Sequence, residues 1–299
     1  MVNLGFRTCM KSPFIFLYLS VFLYGFSTQS HAQIHEQLAS LEINAKGRLG
    51  VYAINTANHE VVAYRSNERF PMCSTHKVMA VAAMLKASEA SPNLLKTVLH
   101  YDSSDLVVWS PVTEKHLQSG MSFQALGRAS ITLSDNTATN LIIKWLGGPE
   151  AVTSFARSIG DERFALNRYE PELNSAIPGD YRDTSTPLAQ ATSLRQLVLG
   201  QILDFKTRQL LKLWLIDNAT GDKRIRAGAP KNWIVGDKTG TCGSFGAIGD
   251  IGIIWPKKDA PMIMAIYFTG KNKHNQSSDV VIAKAARLVI HAMNHGESK

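Results

Sequence analysis

Ser74-Thr75-His76-Lys77-Val78-Met79-Ala80-Val81-Ala82-Ala83-Met84-Leu85 is apolar nearly all round from Val78 onward, the mark of a helix buried on every side. Such a helix needs other elements packed about it, so the surrounding chain must supply a helical body. Ser74 stands at its start, and Lys77, three residues on, shares the same face. Apolar neighbours disfavour the charged form of that lysine, which would let it act as a base. A capping serine beside a snorkelling lysine gives the same pattern, and S-x-x-K alone arises by chance in chains of this length.

Upstream of this helix, a short helical period over Ile34 to Leu41 leads into Arg48-Leu49-Gly50-Val51-Tyr52-Ala53-Ile54, an Asn-containing turn over Asn55 to His59, and Glu60-Val61-Val62-Ala63-Tyr64. Two apolar, partly β-branched runs around such a turn predict a hairpin. Downstream, to about Pro230, helical periods such as Phe123 to Leu133, Ala138 to Leu146 and Leu194 to Leu203 are punctuated by Gly and Pro. Strand patterns return at Trp233 to Thr241, Ile248 to Trp255 and Met262 to Thr269, and a helix from about Ser277 to Met293 closes the chain. The expected fold is therefore α/β, with an antiparallel five-stranded sheet flanked by helices and an all-helical subdomain. Residues 33–72 and 223–299 form a discontinuous α/β subdomain, and 73–222 the all-α one. A cleft is expected where the two parts meet, a favoured place for ligands. No internal repeat, low-complexity tract or long linker interrupts this organisation.

Two further short patterns fall at the junctions. Ser134-Asp135-Asn136 separates two helical periods, where these residue types are common simply as caps. Lys238-Thr239-Gly240-Thr241 lies in a strand pattern, where a Gly admits close backbone approach and the hydroxyls and ammonium can bind a carboxylate. An ordinary strand with an exposed lysine would read the same way. Each pattern occurs once, in the order S-x-x-K, S-D-N, K-T-G, and joint coincidence is far rarer than any single match.

With that trio the chain resembles the penicillin-recognising serine enzymes, for which the motifs are an established signature. A transpeptidase keeps water off its acyl-enzyme, whereas a hydrolase needs a positioned water and a base. Arg168-Tyr169-Glu170-Pro171-Glu172-Leu173-Asn174 is similar to the omega-loop pattern of class A serine β-lactamases, and the spacings from Ser74 to Ser134, Glu170 and Lys238 also resemble class A. The resemblance implies a β-lactamase/transpeptidase-like fold and hydrolysis of β-lactam antibiotics through an acyl-enzyme on Ser74, conferring antibiotic resistance. Its catalytic residues would be Ser74, Lys77, Ser134 and Glu170, with Asn174 holding the deacylating water. Ser74 and Thr241 would form the oxyanion hole. Trp109, Asn136, Arg224, Lys238, Thr239, Gly240 and Thr241 would contact substrate. Arg168 would pair with Asp183 across an omega-like loop at 168–183, although plain surface charge explains Arg168, Glu172 and Asp183 as well. A disulfide between Cys73 and Cys242 would staple the site, two free buried thiols being the alternative. That pair, Arg224 and Thr241 resemble the carbapenem-hydrolysing branch. His76 departs from the pattern, where Phe is more usual, and is expected to be a buried, hydrogen-bonded residue.

Arg7 and Lys11 precede an apolar run from Phe14 to Phe26 and a polar stretch ending in Ser30-His31-Ala32, so residues 1–32 read as a cleavable signal peptide rather than a span, which needs roughly 20 apolar residues. Periplasmic or secreted localisation follows, with no membrane partner after cleavage. The net charge of +8 falls to about +6 without Arg7 and Lys11, and the remaining basic residues are scattered, which gives no support to nucleic-acid binding. The nine His show no H-x-H-x-D cluster, and His291 with His295 lacks an adjacent Glu, so neither a metal nor a cofactor is expected. The expected partners are small-molecule β-lactam substrates and inhibitors, acting on a monomer. The rival readings are a cell-wall D,D-peptidase, a metal-dependent lactamase and a non-catalytic drug sensor.

Overall fold

The computed structural model describes residues 1–2, 32–91, 93–243, 245–257, 259–272 and 278–294. The expected signal peptide lies almost wholly outside them.

Five strands form one antiparallel sheet: β1 (Gly47–Asn55), β2 (Val61–Tyr64), β3 (Ile234–Cys242), β4 (Ala247–Trp255) and β5 (Met262–Gly270). Their spatial order is β2-β1-β5-β4-β3, so the first hairpin joins the later strands through the β1–β5 pair, with Val51 opposite Ile266. The predicted strands appear with ends moved by one or two residues. Met262 to Phe268 is an unbroken buried run because the sheet is covered on both faces, which removes the alternation of a half-exposed strand.

One face carries Leu49, Val51, Ile254, Met264 and Ile266 against α1 (32–44) and α9 (Asp279–Met293). The other presents Ile251, Ile253, Ile263, Ala265 and Tyr267 to the helical middle of the chain. At the centre of that middle is α2 (Lys77–Ala90), where every residue from Lys77 to Leu85 is buried. Around it pack α3 (Phe123–Thr132), α4 (Asn136–Leu146), α5 (Pro149–Ser158) and α7 (Phe205–Ile216), while α6 (Pro187–Leu199) lies on β5 and β1. The short α8 (Ile225–Gly228) leads back to the sheet.

The expected period over Leu194 to Leu203 marks only the second half of α6, which starts seven residues earlier and stops at Leu199. Thr186 caps it by accepting from the Ala189 N–H at 3.2 Å. Pro187 follows at the first helical position, where a missing N–H costs nothing. Helices α5 and α7 have no counterpart in the sequence reading. In α7 the exposed Phe205 and Leu213 blur the apolar period. The middle of the chain also holds two-residue strand pairs, Phe70–Pro71 with Thr184–Ser185 and Val98–Leu99 with Met121–Ser122. No helix among the described residues is long and apolar enough to cross a membrane.

Candidate active site

Ser74 sits in a 3-10 turn, Cys73–His76, that runs straight into α2. Cys73 holds a left-handed conformation at φ 47° just before it. Strand β3 passes directly alongside, and Gly240 is what allows this: a Cβ there would stand 2.7 Å from the Met72 carbonyl oxygen and 3.2 Å from the Ser74 nitrogen. A larger residue would push strand and turn apart. The Cys73–Cys242 disulfide ties the same two segments together, with Cα atoms 5.6 Å apart.

Helix α2 carries Lys77 into the cleft, fully buried. Its ammonium donates to the Ser134 carbonyl at 2.8 Å, to Ser134 Oγ at 3.2 Å and to Asn136 Oδ1, and it lies 3.2 Å from Glu170 Oε1. Ser74 Oγ is 3.5 Å from that same carboxylate oxygen. Burial pushes the Lys77 ammonium below the usual lysine range, against the pull of Glu170. Burial alone would raise Glu170, but the Lys77 charge, His76 and hydrogen bonds from Lys77 and Asn174 outweigh it and keep the carboxyl below its usual range. The pair is therefore an ionised carboxylate facing a lysine that gives up its proton more readily than a solvated one.

The S-D-N tripeptide divides its labour. Asp135 is fully buried and caps α4, accepting from the Ala138 N–H at 2.8 Å and from the Val112 and Thr113 N–H groups at 2.9 Å. Its neighbours face the cleft. Ser134, at φ 57°, accepts from both Lys77 and Lys238, the latter at 3.1 Å. Asn136 donates to the Val108 carbonyl at 2.8 Å, which positions the rim where Trp109 stands 62 % exposed. Lys238 is fully buried; burial first, and then Lys77, bring its pKa down to about 7.

Arg224 lies beneath β3 rather than open in the cleft. Its guanidinium donates to Asp279 and to the carbonyls of Gly240 and Gly249, each at 2.7 Å, and to Thr241 Oγ1 at 2.6 Å. Most of its donors are thus spent on shaping the strand, and Thr241 is the exposed residue it supports. Thr239 bonds the Thr220 hydroxyl.

The segment bearing Glu170 is closed at its base by Arg168 and Asp183. Arg168 Nε lies 2.6 Å from Asp183 Oδ2, and the Asn167 and Arg168 N–H groups donate to Asp183 Oδ1 at 2.8 and 3.0 Å. Asn174, on the turn Glu172–Ser175, donates to Glu170 Oε2, and the Glu170–Pro171 peptide is cis. Sequence reasoning missed Asn140. Its side chain clasps the Glu170 main chain, accepting from the N–H at 2.9 Å and donating to the carbonyl at 2.8 Å. The available signal was spacing, since Asn140 follows Asn136 by one helical turn. Asp279 was missed too.

His76 is fully buried and its Nδ1 lies 2.7 Å from the Cys73 carbonyl oxygen. A carbonyl only accepts, so the ring donates from Nδ1 and leaves Nε2 as an acceptor without a partner among the described residues. Burial above all depresses its pKa to about 4.

Residues 33–293 match the family described as "Beta-lactamase enzyme family". The chain is 54% identical over 260 residues to Beta-lactamase OXY-2 of Klebsiella oxytoca, covering 87% of this chain and 89% of that protein. It is 50% identical over 268 residues to Beta-lactamase CTX-M-97 of Escherichia coli, covering 89% and 92% respectively. A beta-lactamase of Proteus vulgaris is 50% identical over 266 residues, 89% of this chain and 98% of the relative. Matches of this length and identity, on a chain folded as described, show that it belongs to the beta-lactamase enzyme family, among the class A serine enzymes.

Proposed function

We propose that the enzyme opens β-lactam antibiotics by acylation and deacylation of Ser74, conferring resistance. The observation that carries this reading is one carboxylate oxygen of Glu170 lying 3.2 Å from Lys77 Nζ and 3.5 Å from Ser74 Oγ. Substrate binds with its carboxylate toward Lys238, Thr239, Thr241 and the remaining donor of Arg224, and its side-chain amide toward Asn136, with Gly240 admitting it edge-on to β3 and Trp109 at the entrance. The lactam oxygen is held by the N–H groups of Ser74 and Thr241. Donors fixed in advance are worth most where charge develops, and the disulfide fixes their separation.

Ser74 loses its proton to Lys77 or, through water, to Glu170. Ser134 hands a proton to the departing nitrogen; two ammonium groups donate to its oxygen, so its own proton is free to move outward. Glu170, oriented by Asn174 and Asn140, then takes a proton from the water that attacks the ester. The Arg168–Asp183 pair holds the loop that carries it. All these groups come from one chain, in keeping with a monomer, and the leader-like residues 1–32 direct it to the periplasm or medium.

We infer further that carbapenems are among the substrates, a reading supported by the Cys73–Cys242 disulfide and by Arg224 supporting Thr241. Intact-protein mass spectrometry tests the mechanism: Glu170→Ala accumulates a covalent adduct with a β-lactam, and Ser74→Ala forms none. An absence of adduct in Glu170→Ala would remove Glu170 from deacylation. For carbapenems, steady turnover is expected, and a stoichiometric burst without hydrolysis refutes that part.

A further inference from the structure

A second cavity, of about 870 Å³, opens on the far side of the loop that carries Glu170 and is lined by Arg48, Arg69, Arg163, Lys271, Ile177 and Tyr181. Its volume falls in the range of small-molecule sites, roughly 300–1,000 Å³. None of the residues that surround Ser74 line it.

Its charge is unbalanced. Both carboxylates on the wall are already engaged: Glu68 holds Arg48 at 3.0 Å and Arg65 at 2.9 Å, while Asp180 holds Arg182 at 2.8 Å and faces Arg168 at 3.8 Å. Arg69 donates from Nη1 to the Arg163 carbonyl at 2.9 Å and to Thr184 Oγ1 at 3.0 Å, and among the described residues no carboxylate forms an ion pair with it, Asp161 attracting it only through space. Burial, and then the charges of Arg163 and Arg157, make its cationic form less comfortable than usual. The side chains of Arg163 and Lys271 have no hydrogen-bond or ion-pair partner among the described residues. Like charges gathered in a walled concavity focus a positive potential, and guanidinium forks match carboxylate geometry. Exposed Tyr181 and Ile177 add an apolar face.

We propose that this cavity binds a compact polycarboxylate with an aromatic or similarly flat apolar body, and that the bound anion acts on the loop bearing Glu170. Residues 176–181 form one wall of the cavity and begin two positions after Asn174. At Ala176 the loop also abuts the turn after β3: a Cβ on Gly243 would meet the Ala176 Cβ at 2.5 Å. An anion bridging Arg69, Arg163 and Lys271 beside Tyr181 ties the loop to the end of the central strand β5 and restrains its motion. Such restraint changes the step that depends on Glu170 more than initial substrate binding.

Titration calorimetry with benzene-1,3,5-tricarboxylate at low ionic strength tests this, on wild-type protein and on the double variant Arg163→Gln with Lys271→Gln. Both positions are exposed and have no side-chain partner among the described residues, so the variant should keep its melting temperature. One saturable site is expected in the wild type, at least about tenfold weaker in the variant, the value of one charge-assisted hydrogen bond. The neutral benzene-1,3,5-trimethanol should not bind, a check that needs no variant. Saturating tricarboxylate should change kcat and KM for a chromogenic cephalosporin in proportion, at unchanged kcat/KM, because the decay of an acyl-enzyme enters both constants alike. No saturable binding, equal affinity in the variant, equal binding of the neutral analogue or an unchanged kcat each overturns the proposal. A purely competitive rise in KM does so as well, since it puts the anion beside Lys238 in the Ser74 cleft.

Discussion

Replacing Asn140 by Ala should damage stability and deacylation together, although Asn140 touches neither Ser74 nor Lys77. Asn140 is buried on α4, and its two hydrogen bonds, of 2.8 and 2.9 Å, are the clasp on the Glu170 main chain. Removing it strands a buried N–H and a buried carbonyl, each costing about 1–3 kcal/mol if left unpaired. Even at about 2 kcal/mol for the two, a domain of this size should melt about 4–8 °C lower. The Glu170 carboxylate would then drift, and a displacement of about 1 Å costs on the order of a hundredfold in a positioned reaction. Single-turnover mixing followed by intact-protein mass spectrometry separates the steps: acylation should change modestly while the acyl-enzyme decays about a hundredfold more slowly. Asn140→Asp keeps the acceptor for the Glu170 N–H but loses the donor to its carbonyl, so it should fall between. An unchanged melting temperature with unchanged decay would refute the role of the clasp, and equal loss in both steps would refute its selectivity.

Lys238, with its pKa near 7, should make binding of anionic β-lactams pH-dependent: the ammonium is present below that value and lost above it, so KM should rise as pH climbs past about 7. Stability moves the other way, because between there and the ordinary lysine range only the unfolded chain holds the proton, and a KM that stays flat from pH 6 to 9 would contradict the shift. Reducing the disulfide, or Cys242→Ser, should lower stability by up to about 5 kcal/mol, the chain-entropy limit for a separation of 169 residues, measured by denaturant melts. Arg224→Gln should cost about tenfold in kcat/KM, the worth of one charge-assisted hydrogen bond, with steady-state assays showing a larger loss for carbapenems than for penicillins.

What was legible in the sequence was whatever local chemistry dictates. Val78 to Leu85 reads as a buried helix, and the runs at Ile248 and Met262 read as strands. Of the motif residues, Lys77 starts α2, Ser74 and Ser134 lie just outside helix ends, Lys238 sits mid-strand on β3 and Glu170 on the loop before the turn Glu172–Ser175. Asn140 and Asp279 were illegible for a common reason: their importance rests on partners distant in sequence. Asn140 means something only against Glu170, thirty residues on, and Asp279 only against Arg224. Arg224 carries a role the sequence reading did not include, since most of its donors go to Asp279, the Gly240 and Gly249 carbonyls and Thr241.

The buried charges explain why an anionic substrate suits this cleft. Lys77 and Lys238 are both fully buried and both donate to one hydroxyl oxygen, that of Ser134. Only Glu170 lies against Lys77, and no carboxylate contacts the Lys238 ammonium among the described residues. Burial first, and then the Lys77 charge, bring the Lys238 pKa down to about 7 against the pull of Asp237 and Asp250. A bound carboxylate would supply the missing partner and hold Lys238 in its charged form. That charge in turn disfavours the ammonium form of Lys77, leaving more of it as the neutral amine that can accept the Ser74 proton. Substrate binding and readiness of the proton acceptor would therefore be coupled through the oxygen of Ser134. Ser134→Ala, which removes the shared acceptor, should weaken that coupling, so that the acylation rate loses its dependence on the substrate carboxylate when a β-lactam and its carboxylate ester are compared.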